Sequence, residues 1–396
     1  MRKLARLTLL AVFPLGCFGA PAAAQAPIDF RPLDPQRGMV DCVDADTMAV
    51  APAVCRVRRA FPLAELRARL GADDVAWRDG EELSWVAEID ADSVELSGGV
   101  QVPMARVTGT NVWVVTARVR ELDRAAISWF FFPFRDGVPL VTRVHARHFR
   151  GPLAPAAADT VGVLSGTFVT HTIESRFLPA PRGVSAYIPP ERVDEPIAGV
   201  VYIGDGAARP MAQVIDALIV AGKLPRLMIV GMETDTSRAV DADGADGRTL
   251  EYLLAPWDST RFLAHERFFL EEVMPWAESL GAPTERDRRA VAGFSNSAAF
   301  AIDMGLRHPD RFGRVLAFSP AGRRAQILPG TALDEPAEFY LLGGVLERAF
   351  HAKALAWADI FRSRGIRYAL REPVAGHDFH MWQAMFRDAV AWAFGG

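Results

Sequence analysis

The stretch "RRAVAGFSNSAAFAIDMGLRHPDRFGRVLAFSP", Arg288 to Pro320, runs from an apolar segment through GFSNS into a helical pattern and out into a second apolar segment. A strand is therefore expected to pass almost directly into a helix at Phe294–Asn296. Such a corner holds the side chain at its apex, Ser295, out from the sheet and above the helix N-terminus. Gly293 and Ser297 flank it because a large Cβ substituent would collide where strand and helix approach. The Asn296 amide, first in the helix, would face a developing negative charge. The usual pentapeptide has glycine where this chain has Ser297, and on GFSNS alone a helix cap explains Ser295 as well as a nucleophile does.

Working outward, the apolar runs "VVYIGDG" (Val200 to Gly206), "RLMIVGM" (Arg226 to Met232), "RVLAFSP" and "FYLLGG" (Phe339 to Gly344) read as strands buried on both faces. Amphipathic helical stretches separate them, such as Phe262 to Leu280 and Ala349 to Arg364. Strands alternating with helices predict an α/β fold, a mostly parallel sheet with helices on both faces, and ligands gather at the carboxyl ends of such strands. Earlier in the chain the rhythm differs. From Trp77 to Phe134, "LSWVAEI", "SVELSG", "NVWVVTARV" and "AISWFFFPF" are short runs broken by turn residues, which predicts a small β-sandwich. The Pro/Ala-rich "GPLAPAAAD" reads as a linker. The expected division is residues 1–24 signal peptide, 25–150 sandwich with its leading segment, 151–159 linker and 160–396 catalytic domain.

Export is read from basic Arg2, Lys3 and Arg6, an apolar core from Leu7 to Phe18 and the small-residue tract "APAAAQA", with cleavage expected after Ala24. Pro14 in "PLGC" argues against a lipoprotein signal at Cys17. Cys42 and Cys55 then remain as an even pair, expected to form a disulfide in a periplasmic or secreted protein. A net charge of −4 over 396 residues leaves no broad basic field for nucleic acid, and no apolar run is long enough to span a bilayer. "DADGADG" (Asp241 to Gly247) fails the calcium-loop pattern, with Ala245 and Tyr252 where ligands belong.

A nucleophilic serine needs a base and an orienting acid, which in sheets of this kind follow in the order Ser, Asp or Glu, His. His377 in "VAGHDFHMW" lies in a glycine-led loop after a strand-like run, whereas His351 sits in a helical pattern and His380 begins the last helix. His377 is the expected base. Glu347 follows Gly343 and Gly344 at a strand end and is the expected acid; Asp334, Glu335 and Glu338 precede that strand, and Asp378 adjoins the base too closely. The amides of Gly206 and Ala207 in "VVYIGDGAARP" are the expected partners of Asn296 in an oxyanion hole. His377 and His380 lack a third ligand at zinc spacing, so neither metal nor organic cofactor is expected.

These residues resemble the enterochelin (ferric enterobactin) esterase-like, or esterase D-like, branch of the α/β-hydrolases. "RGVSAYIPP", "VVYIGDG", "FFLEEVMPW", "AGFSNSAAFAIDMGLRHPDRFG", "GGVLE" and "GHDFHMW" occur in that family's order, over nearly all the chain beyond Ala60. "PMARVTGTNVWVVTARV" is similar to the immunoglobulin-like domain that precedes the hydrolase in enterochelin esterases. The resemblance implies an α/β-hydrolase fold and the triad Ser295, His377 and Glu347. It also implies positions near the cleft for Arg248, Glu251 and Trp382. Arg323 and Arg324, after a strand's carboxyl end, are placed to meet an anionic substrate such as a ferric siderophore. Serine ester hydrolysis is the expected activity on a small-molecule ester. The alternatives are a feruloyl or acetyl esterase acting on a plant-derived ester, an acyltransferase, or a non-catalytic binding protein on the same scaffold. Ser297 and the export signal depart from the enterochelin esterases and bear on the substrate more than on the fold.

Overall fold

A computed structural model of the chain describes residues 27–33, 39–45, 48, 51–141, 146–236, 245–254, 259–322, 325–327 and 335–395. The expected signal peptide, Arg323, Arg324, Asp334 and the first four residues of "DADGADG" lie outside the described residues.

The second half is built on an eight-stranded sheet. Its strands lie in the order Thr167–Ile173, Arg182–Ile188, Leu227–Met232, Gly199–Ile203, Arg289–Phe294, Arg314–Phe318, Glu338–Leu342 and Tyr368–Arg371. The first two pairings are antiparallel and the remainder parallel. Each central strand feeds two cores. Val200, Tyr202 and Val291 point into one with helices Asn296–Arg307 and Arg348–Ser363. Val201, Ile203, Ala290 and Ala292 point into the other with helices Ala208–Val220 and Phe379–Phe394. Burial on both faces is why these strands read as unbroken apolar runs. The segment expected as one helix over Phe262 to Leu280 is interrupted: α-helix gives way at Phe269–Val273 to a π turn before resuming at Met274. Pro275 has no amide to donate and its ring crowds the carbonyl one turn back, which widens the helix there.

Before this sheet stand two smaller antiparallel sheets, one carrying Glu82–Glu88 and Val112–Val119, the other Ser93–Gly98 and Ala126–Arg135. Trp85, Trp113 and Val115 from the first meet Val94, Leu96, Ile127 and Trp129 from the second in one core. Leu346, from the far end of the chain, belongs to the same core. Cys42 and Cys55 are joined by a disulfide. Among the described residues no helix is long and apolar enough to cross a membrane.

Candidate active site

Ser295 sits between strand Arg289–Phe294 and helix Asn296–Arg307 with φ 58° and ψ −117°. A non-glycine residue held at positive φ costs roughly 1–3 kcal/mol, so the surroundings must enforce it. They do so through the backbone: the Ser295 amide donates to Phe318 O at 3.0 Å, and its carbonyl accepts from Ala321 at 3.0 Å. Gly293 is required because a Cβ there would lie 2.1 Å from Ser297 O.

Ser297 occupies the position where glycine is usual, and its hydroxyl is engaged. Ser297 Oγ accepts from the Phe294 amide at 2.7 Å and lies 2.8 Å from Asp205 Oδ2 and 2.9 Å from Phe294 O. Its single proton goes best to the carboxylate, the stronger acceptor. Room for the side chain comes from Gly204, where a Cβ would stand 2.6 Å from Ser297 Cβ. Asp205 is in turn gripped by Arg248, Nε to Oδ1 at 2.6 Å and Nη2 to Oδ2 at 2.8 Å. Burial works against the charge of Arg248, but its hydrogen bonds to Asp205 raise its pKa overall. The guanidinium expected at the substrate thus braces the loop that follows strand Gly199–Ile203.

That loop also carries the expected oxyanion donors. The Asp205 amide donates to Tyr252 Oη at 2.8 Å, Gly206 to Met232 O at 2.9 Å and Ala207 to Gly204 O at 3.2 Å. Asn296 opens its helix, where the first amides have no intrahelical acceptor.

Glu347 lies between strand Glu338–Leu342 and helix Arg348–Ser363, and its side chain is almost wholly buried. Glu347 Oε2 is 2.7 Å from His377 Nδ1. Its other oxygen accepts from Ser319 Oγ at 2.5 Å and from the Gly344 amide at 2.7 Å. Ser319 Oγ accepts in turn from Trp382 Nε1 at 2.8 Å. Ser319, the Gly344 amide and His377 thus satisfy the buried carboxyl group. The imidazole of His377 stacks on Phe350 at 3.9 Å between centroids and meets the edge of Trp382 at 4.9 Å. Trp382, expected near the cleft, therefore packs against His377 and is linked to Glu347 through Ser319.

The alternatives to His377 and Glu347 are occupied elsewhere. His351 bonds Glu372 at 2.8 Å. His380 lies edge-on to His148 at 4.1 Å. Asp378 accepts from the His380 amide and, at 2.7 Å, from the Ser128 amide in the first half of the chain. Glu338 pairs with Arg314 and Arg367. Ser319 and Phe350 were not singled out in the sequence, and nothing in "FSP" marks Ser319 as a donor to Glu347.

Such an arrangement, an outward serine at a strained corner and an imidazole steered by a buried carboxylate, can support acyl transfer. Residues 175–393 match the family described as "Putative esterase". The chain belongs to that esterase family. It is a carboxylic ester hydrolase. No curated protein matches it in sequence. Among solved structures, the esterase is similar to the enterochelin esterase from Shigella flexneri, with 18% identity and a TM-score of 0.59 over 80% of this chain and 94% of that one. It is likewise similar to the ferric enterobactin esterase from Salmonella typhimurium, with 17% identity and a TM-score of 0.59 over 81% of this chain and 96% of that one. These likenesses extend across more of the esterase than residues 175–393 alone.

Proposed function

We propose that the chain hydrolyses a carboxylic ester through an acyl-enzyme on Ser295, with His377 as base and Glu347 as the acid that orients it. The observation that carries this reading is the 2.7 Å contact between Glu347 Oε2 and His377 Nδ1, made from loops after strands Glu338–Leu342 and Tyr368–Arg371, the second and third strands along the sheet from the one that ends at Ser295. His377 takes the Ser295 proton as Oγ attacks the carbonyl, and the imidazolium returns that proton to the departing alcohol. Water, deprotonated by the same imidazole, then releases the acid. Glu347 holds the imidazole with Nδ1 protonated and stabilises its cation. The oxyanion is assigned to the amides of Asn296 and Ala207. The bond from Ala207 to Gly204 O is the longer of the two that the Gly206 and Ala207 amides make, and Gly206, tied to Met232, holds the turn in shape. Each such donor contributes roughly 3 kcal/mol in comparable sites.

The proposed substrate is a siderophore-type ester. Its support is the extent of the likeness to enterochelin esterases, which takes in the leading sheets as well as the catalytic half. The same proposal divides the chain into an immunoglobulin-like sandwich over 25–150, a linker over 151–159 and a hydrolase over 160–396. A periplasmic or secreted setting is supported by the Cys42–Cys55 disulfide.

The test is turnover of p-nitrophenyl acetate and butyrate by the purified chain and by Ser295→Ala. Abolished turnover with an intact fold is expected; unchanged turnover would reject the nucleophile, and none in either protein would favour a binding role. Mass spectrometry of products from ferric enterobactin, methyl ferulate and acetylated xylan then identifies the ester.

A further inference from the structure

A cavity of about 750 Å³ opens between the leading sheets and the back of the catalytic loops, touching neither Ser295 nor His377. We infer that it is a second binding site, for a monocarboxylate carried on an apolar body. Volumes of this size, at a junction between units, are those of small-molecule sites. Its walls are apolar where Val54, Val345 and Val374 meet, and its rim carries two exposed leucines, Leu153 at 71% and Leu355 at 37%.

The charges around it are unevenly spent. Both carboxylates that line it are engaged, Glu121 with Arg124 at 3.5 Å and Glu372 with His351 at 2.8 Å. Arg348 is exposed, and among the described residues no carboxylate pairs with it. The Arg120 guanidinium donates to Ala51 O at 3.1 Å, and among the described residues its remaining N–H groups have no partner. Two arginines with donors to spare beside an apolar wall match a carboxylate head on a hydrocarbon or aryl body.

The site adjoins the triad from behind. Val345 N donates to Pro373 O at 3.0 Å, joining two cavity-lining segments that lead directly to Glu347 and to His377. An occupant is therefore placed to bias the geometry of acid and base. That consequence rests on the proposed esterase mechanism, whereas binding itself does not.

Calorimetry on the Ser295→Ala chain, which cannot turn over, separates the two. Sodium octanoate and 4-phenylbutyrate are expected to bind, and their alcohols, octanol and 4-phenylbutanol, at least tenfold more weakly. The exposed pair Arg120→Gln and Arg348→Gln, with an unchanged melting temperature, is expected to weaken carboxylate binding tenfold or more. Equal binding of acid and alcohol, carboxylate binding untouched by the double substitution, or no carboxylate binding at all would each overturn the site. In the wild type, octanoate is expected to change p-nitrophenyl acetate turnover, and the double variant to lose that response; loss of turnover in Ser295→Ala does not bear on the binding result.

Discussion

At the level of single residues, Ser297 gains a task where glycine would have none. Its hydroxyl satisfies the buried Phe294 amide and reaches Asp205, so the corner that carries Ser295 is tied to the loop that carries Ala207. Removing it leaves a buried donor unpaired, at about 1–3 kcal/mol. Ser297→Ala is expected to lower the melting temperature by a few degrees and kcat roughly tenfold with KM little changed, since a tenfold rate loss corresponds to about 1.4 kcal/mol of transition-state stabilisation. Steady-state kinetics beside thermal melts checks this, and an unaltered kcat would show that the tie does not matter to the chemistry. Glu347→Gln tests a different dependence. An amide in that place accepts from Ser319 but cannot stabilise the imidazolium, and a loss of roughly 10³–10⁴-fold in kcat is expected with the fold retained. Of these relations only the endpoints were readable in the chain: Ser295, Glu347 and His377 each stand at a strand-end position with a characteristic neighbourhood. The tie from Asp205 to Ser297 was not, because it depends on Gly204 making room for a side chain that lies 93 positions away in sequence.

At the level of elements, the parallel strands were legible because they are buried on both faces and keep no polar alternation, whereas Thr167–Ile173 was missed because it forms the exposed edge and reads as mixed. Helix starts were legible to within a residue or so, but the π turn was not, since Pro275 signals a disturbance without specifying which kind. Least legible was the anchorage of the last helix. Asp378 caps Phe379–Phe394 and also takes the Ser128 amide, 250 residues away. Beside it, His380 packs edge-on against His148, and its pKa is lowered by burial first, then by His148 and Arg150, with Asp378 opposing. A histidine whose folded pKa is depressed favours the folded state while neutral. Its contribution is complete above the ordinary value of 6.5 and declines as pH falls from there toward the folded pKa. The junction is thus expected to loosen on acidification. Melting temperatures at pH 5 and pH 7.5 should differ less in His380→Asn than in the wild type. An equal difference in the two proteins would remove this pair from the account.

At the level of the whole molecule, the question is whether the leading sheets are an appendage or part of the catalytic body. Their contact with the second half is made by backbone as much as by side chains. A Cβ at Gly376, next to His377, would stand 1.6 Å from Gly99 O, so the histidine loop and the leading sheets approach as closely as two main chains can. Ala126 N donates to Val374 O at 3.0 Å in the same seam. Leu346, the residue before Glu347, is 6% exposed and sits in the core that holds Trp85 and Trp113. Glu347 and His377 are therefore each flanked by a residue whose packing partner belongs to the other unit. Truncating Leu346 to alanine leaves a cavity in that shared core and is expected to cost about 2–5 kcal/mol. If the two units are one cooperative body, calorimetry should give a single transition that moves down as a whole in Leu346→Ala, and esterase activity should disappear along the same curve. Separate transitions in the wild type, with activity following only the later one, would mean that the sandwich merely rides on the hydrolase. Gly376→Ala sharpens the comparison: the added methyl has no space against Gly99, so it is expected to abolish turnover at a temperature where Leu346→Ala, still folded, retains it.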